Sequence, residues 1–296
     1  MLVTDALAQR LREQVNPDGG WGYTPGSRSR VEPTSWALLA LTAATTQADG
    51  WSPAPHLGFL RRAQTSRGLL ADQADAPPNY AFNALAALVV DGTYARPTEP
   101  WFLRLTEAII GGRGAALPAD EAMPQQNNLQ AWPWIDGCFS WVEPTAWCLL
   151  LLKRLRAQLP DGRSAARIAE AERLLFDRCC AGGGWNYGNA TVLGQSLEPF
   201  VPTTALALLA LQDRKEHATV KKSLAHLQTN ALGESSGMAL ALSLICFVQY
   251  GLPTDTLEEA LAAQYARSRF LDQQHVMAMA LYALAWGRAG MGAFHV

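Results

Sequence analysis

Six short segments of this chain are apolar on nearly every side: Ala37-Leu38-Leu39-Ala40-Leu41, Asn83 to Leu88, Cys148 to Leu152, Ala207 to Leu211, Met238 to Leu242 and Met277 to Leu281. A helix with no polar stripe is one that is buried all round. Each is preceded by a segment with a charged face: Thr4 to Val15, Pro55 to Ser66, Thr98 to Ile110, Ala165 to Cys180, Lys215 to Thr229 and Thr254 to Phe270. Almost nothing alternates with the period of two that marks a half-buried strand. The pattern therefore predicts twelve helices in alternation, six buried and six half-exposed.

The buried segments are copies of a repeat. Gly19-Gly20-Trp21-Gly22-Tyr23 is followed by Glu32-Pro33-Thr34-Ser35-Trp36. Trp132-Pro133-Trp134 is followed by Glu143-Pro144-Thr145-Ala146-Trp147, and Gly183-Gly184-Trp185-Asn186-Tyr187 by Thr203-Thr204. Pro33 and Pro144 suit the first helical turn, where the missing amide costs nothing. Glu32 and Glu143 beside them read as caps that meet the positive helix end. Repeats whose faces cannot be buried alone must stack. The expected architecture is an all-α toroid, an α6/α6 barrel of six helical hairpins, spanning 1–296 as one domain. Within it Gly111 to Trp132, rich in Gly, Pro, Gln and Asn, is long enough to be a lid or a plug.

Composition narrows the function classes. A net charge of −2 with no basic block gives no footprint for nucleic acid. No apolar run approaches the ~20 residues of a membrane span. Five cysteines, two of them adjacent, do not make a secreted disulfide framework, and the expected location is cytoplasmic.

The run Gly-Gly-Trp-Gly-Tyr before Glu-Pro-Thr-Ser-Trp-Ala-Leu-Leu-Ala-Leu resembles the prenyltransferase and squalene-cyclase repeat, over essentially the whole chain. The resemblance implies an α/α toroid with a central apolar funnel that acts on or binds an isoprenoid, either a polyprenyl chain or its diphosphate. Two features depart from that family. The Asp-x-Asp-Asp acid motif of the cyclases is missing, Asp72-Gln73-Ala74-Asp75 being the nearest spacing, and there is no length for a second helical domain. A non-catalytic toroid that binds a protein or peptide partner is the first alternative. A zinc-dependent prenyltransferase is the second.

Four constellations carry candidate chemistry. Asp136-Gly137-Cys138 and His275 resemble the zinc ligands of protein prenyltransferases, although they precede the third and sixth inner helices, on opposite sides of a ring. The expected cofactor is none, with zinc or magnesium as the alternatives. Glu32, Glu143 and Glu198 start inner helices on one rim, where a desolvated carboxyl can serve as general acid or simply cap its helix. Glu198 lies out of register, since alignment of the repeats sets Pro202 opposite Glu32. Ring closure would bring Arg28 and Arg30 near Arg267 and Arg269, as a diphosphate site or as solvated ion pairs. Trp21, Tyr23, Trp134, Trp141, Trp185 and Tyr187 are candidate ligand-facing aromatics or repeat packing. His56, His217 and His226 read as surface residues.

Overall fold

The computed structural model describes residues 2–44, 50–93, 98–159, 162–286 and 292–296. Among them are twelve α-helices. The inner six are α2 (Val31–Ala44), α4 (Tyr80–Thr93), α6 (Val142–Leu155), α8 (Val201–Ala210), α10 (Gly237–Tyr250) and α12 (Gln274–Trp286). The outer six are α1 (Val3–Glu13), α3 (Ala54–Arg62), α5 (Pro100–Gly111), α7 (Gly162–Asp177), α9 (Ala218–Asn230) and α11 (Asp255–Ser268). Inner helices pack in the order α2, α4, α6, α8, α10, α12 and back to α2, which closes the ring. The expected α/α toroid is the observed fold. Each outer helix packs against the inner helix before it in sequence, and α1 sits chiefly on α12. The hairpins thus run inner-then-outer, and the two ends of the chain complete the sixth. None of the described helices is long and apolar enough to cross a membrane.

The repeat residues hold helix ends in place. The indole nitrogens of Trp21, Trp132 and Trp185 donate to the carbonyls of Leu11 (2.8 Å), Ile109 (2.7 Å) and Leu175 (2.6 Å), near the C-terminal ends of α1, α5 and α7. The carbonyls of Leu11 and Ile109 also accept the backbone amides of Gln14 (3.2 Å) and Gly112 (3.1 Å), so there the indole adds a second bond that pins its loop to the helix end. The backbone amides of the same tryptophans donate to Thr34, Thr145 and Thr204 in the inner helices. In the second repeat Asn83 replaces the threonine and bonds both the amide and the carbonyl of Leu70. Gly19 sits at φ +85°, against the carbonyl of Pro55, where a β-carbon would collide.

A second set of bonds defines a common rim. The first amides of α4, α6 and α12 donate to the carbonyls of Trp134 (2.9 Å), Tyr187 (3.0 Å) and Tyr23 (2.8 Å). Each acceptor lies in the loop that leads into the next inner helix round the ring. The N-termini of these helices and the aromatic loops therefore share one face.

Below that face the ring is filled. Trp36 of α2 and Trp147 of α6 meet edge to face with centroids 5.8 Å apart. Phe294, from the C-terminal segment, packs against Trp36 (5.7 Å), Trp147 (5.6 Å) and Tyr282 of α12 (5.3 Å) and is 0% exposed. Arg154 donates to the carbonyls of Gly292 and His295, and Gln212 donates to that of Phe294 (2.7 Å), which fixes the segment beneath the ring. The 111–132 segment lies elsewhere. Buried Arg167 of α7 donates to its carbonyls at Gly112, Gln130 and Ala131 and stacks on Trp132 at 3.9 Å. Leu193 reaches the carbonyl of Ala122 from a two-stranded ribbon, β1 (Thr191–Val192) and β2 (Gln195–Ser196). The central aromatic plug comes from Phe294.

Candidate functional site

The second residue of each inner helix lies in its first turn, in α2 and α6 one turn before the position occupied by Trp36 and Trp147. Counting from the hydrogen-bonded first turns, these residues are Glu32, Ala81, Glu143, Pro202, Met238 and His275. The rim thus carries two carboxyls and an imidazole above an aromatic floor.

Glu32 accepts a 2.6 Å hydrogen bond from the Tyr23 hydroxyl. Half-burial raises its pKa to about 7, the Tyr23 bond pulls it down and the Asp72 charge pushes it up again. Glu143 also rises to about 7, first from desolvation and then from repulsion by Glu32. The Glu32 charge thus reaches Glu143 across the rim, as the smaller of the two causes. Neither caps its helix through a backbone bond among the described residues. At α2 that role falls to Asp72, whose carboxylate takes the Val31 amide at 2.7 Å and pairs with Arg30 at 3.4 Å. Tyr23 meets the edge of His275 with centroids 5.1 Å apart, and desolvation lowers the imidazole to about 4. His275 is neutral near pH 7, and its Nδ1 meets no partner among the described residues.

Next to His275 is a depression of 260 Å³ between α10 and α12, lined by Met238, Phe270, Leu271 and Gln273 among others. Its outer wall is a left-handed turn: Arg269, Phe270, Leu271 and Asp272 have φ of 48°, 51°, 53° and 57°. Such a turn costs ~1–2 kcal/mol per residue. Ser268, which accepts from the Phe270 amide, and the Arg10–Asp272 ion pair hold it.

Several sequence expectations meet other surroundings. The zinc set does not assemble. Asp136 accepts from the Tyr80 hydroxyl (2.8 Å) and pairs with Arg67 (2.8 Å), while Cys138 lies in the loop before α6 and His275 in the first turn of α12, three places apart in a ring of six. The described residues contain no cluster of three metal-ligating side chains. The four arginines do not converge. Arg30 pairs with Asp72, Arg28 is exposed, Arg267 bonds Gln264 and Arg269 lies over Tyr265. Glu198 is exposed in the loop before α8. Trp21 and Trp185 are buried repeat struts, and Trp134 packs on Phe82. Trp141 stacks on Phe139 (4.7 Å), and Tyr187 lies against Phe200 (5.0 Å). His56 is buried, bonded to the carbonyl of Gly19 and stacked on Trp51. His217 caps α9 and stacks on Phe176.

Sequence reading missed the Tyr23–His275 contact and the Phe294 plug. Each joins residues more than 140 positions apart. The first was foreshadowed only by the requirement that repeats one and six be neighbours.

No family model and no characterised protein sequence matches this chain. Solved structures do match. An inactive variant of an α-1,6-mannanase from Salegentibacter, with two consecutive aspartates changed to asparagine and α-1,6-mannotriose bound, is 10% identical, with 97% of this chain and 99% of that one covered at a TM-score of 0.66. A GH76 α-mannanase from Bacteroides thetaiotaomicron is 13% identical over 96% of each chain at 0.64, and an α-amylase from Clostridium perfringens 9% identical over 96% and 97% at 0.66. These neighbours overturn the prenyltransferase and squalene-cyclase resemblance, and with it the isoprenoid activity, the prenyl-lipid partner and the alternatives drawn from it. The structure supplies the physical reason: the funnel that would take a polyprenyl tail is occupied by Trp36, Trp147, Tyr282 and Phe294, and the arginines that would hold a diphosphate are apart. The fold is the α/α toroid that these glycoside hydrolases share.

Proposed function

We propose that this protein hydrolyses glycosidic bonds, with Glu32 and Glu143 as its pair of carboxyls. What supports the reading is the placement of two carboxyls at equivalent positions in the first turns of α2 and α6, with the Tyr23 hydroxyl donating to Glu32 and burial raising both to about 7. Glycosidic cleavage needs one carboxyl that is protonated, to give its proton to the leaving oxygen, and one that is ionised, to activate water or attack the anomeric carbon. Carboxyls raised to about 7 are each partly protonated near neutral pH, so one can donate a proton while the other is ionised. The Tyr23 bond favours the ionised form of Glu32, whereas Glu143 meets no such donor among the described residues. Glu143 is therefore the acid, and Glu32 the base or nucleophile. The aromatic rings of Trp36 and Trp147, one turn along the same helices, suit a polar substrate with apolar ring faces. The toroids it resembles are named as enzymes acting on mannan and starch-type glycosides. This chain has no two consecutive aspartates, so an acid pair at Glu32 and Glu143 is placed differently from the aspartates changed in the Salegentibacter variant.

The test is release of reducing ends from a panel of α-mannan, starch, xylan and β-glucan across pH 4 to 9. The expected result is hydrolysis of one class with a bell-shaped pH profile, falling about 10²–10⁴-fold in Glu143→Gln. No hydrolysis of any member at any pH would overturn the assignment.

A further inference from the structure

Beside the start of α6 lies a pocket of 370 Å³ walled by Trp141, Tyr187, Phe200 and Leu197, with Asn186 and Glu198 at its edge. Trp141 immediately precedes α6, two residues before Glu143, and the carbonyl of Tyr187 accepts the Val142 amide between them. The pocket is thus anchored to the same first turn that presents the acid. Trp141 is spent on packing: Phe139 stacks on its ring, and Gly188 comes so near that an added β-carbon would stand 3.3 Å from the indole. Tyr187 and Phe200 are not spent. They remain 51% and 44% exposed, with rings 5.0 Å apart and tilted by 47°.

Adjacent exposed aromatic rings walling one pocket form the kind of contiguous apolar patch that marks a ligand or partner site. The ribbon β1–β2 is shaped around this pocket, with Val192 and Leu197 facing in. Its two central residues, Leu193 and Gly194, both have positive φ, the geometry of a tight hairpin turn. The Glu198 carboxylate has no hydrogen-bond partner among the described residues. Two open ring faces and an unpaired carboxylate suit a hexopyranose, since its C–H faces stack on rings while its hydroxyls seek acceptors; the Asn186 amide is spent within the loop, on Asn189 and Gly188.

We propose that this pocket is a subsite for a second sugar unit of the substrate, stacked on Tyr187 and Phe200 with a hydroxyl donating to Glu198. The assignment rests on the glycosidase reading and adds to it the side from which the chain is held: bond cleavage lies between a unit in the ring mouth and a unit over the α6–α8 loops.

Calorimetric titration tests it. α-1,6-Mannotriose and maltotriose are added to Glu143→Gln, which holds the sugar uncleaved, and to Glu143→Gln carrying Tyr187→Ala and Phe200→Ala. Both alanine sites are surface positions, and circular dichroism and melting verify that each protein is folded. The expected result is affinity at least about ten-fold weaker without the two rings. Equal affinity would overturn the subsite and leave the glycosidase reading standing. If the unsubstituted protein cleaves none of the polysaccharide panel and Glu143→Gln binds neither sugar, both fall together. Self-association of the unsubstituted protein that disappears with the two alanines would also overturn it, by making the patch a contact between copies.

Discussion

Replacing Glu143 by Gln should stabilise the fold in alkaline solution and leave it unchanged in acid. Folding raises this carboxyl from 4.5 to about 7, so the native state binds more protons than the unfolded chain between those values. Stability from this group is therefore complete below pH 4.5 and is lost as pH climbs through 7. At 1.36 kcal/mol per pH unit the full loss is about 3 kcal/mol, and solvent at the rim reduces it to roughly 1–2 kcal/mol. Glutamine has nearly the same shape and no charge to desolvate. Glu143→Gln should match the parent at pH 4 and melt roughly 2–5 °C higher at pH 8.5, given ~2–3 °C per kcal/mol for a chain of this size. Removing Glu143 also removes its charge from beside Glu32, whose pKa should fall, as carboxyl carbon NMR across the titration would register. Melting curves whose difference is the same at pH 4 and pH 8.5 would refute the raised Glu143 carboxyl, and with it the basis for assigning catalysis to this rim.

Three further outcomes follow from the geometry. Phe294→Ala removes a ring that is 0% exposed and packed on three aromatic neighbours, so urea unfolding should give a loss of about 3–5 kcal/mol; a loss under about 1 kcal/mol would mean that the ring centre collapses without it. Tyr23→Phe deletes the bond that favours ionised Glu32, and its pKa should move further above 7, read by the same NMR titration; a fall would contradict the geometry. Arg167→Ala leaves three carbonyls of the 112–131 segment without their cationic donor, so trypsin or chymotrypsin should cut that segment several-fold faster, and Arg167→Lys should not restore protection, because one ammonium cannot reproduce the guanidinium fork.

The ring itself was legible in the sequence because its cause is local. A helix apolar on all sides has one place to go, and six of them alternating with amphipathic partners pack as an inner circle and a sheath. The glycine–tryptophan loops and the Glu-Pro-Thr starts were legible for the same reason, and they also explain the misleading family resemblance. Trp21, Trp132, Trp185, Thr34, Thr145 and Thr204 tie helix ends together, and such residues mark the toroid rather than any reaction within it. Equivalent positions in the repeat foretold that Glu32 and Glu143 would share a rim. They did not foretell that Asp72 would take over the cap at α2 and free Glu32 for Tyr23, because that depends on how a loop from the next repeat folds back. The filled centre, the dispersed arginines and the contact of Tyr23 with His275 were decided only by the tertiary structure. All three depend on how the helices rotate about their axes and on where the C-terminal segment lodges, quantities set by packing between residues remote in the chain, to which local periodicity is blind.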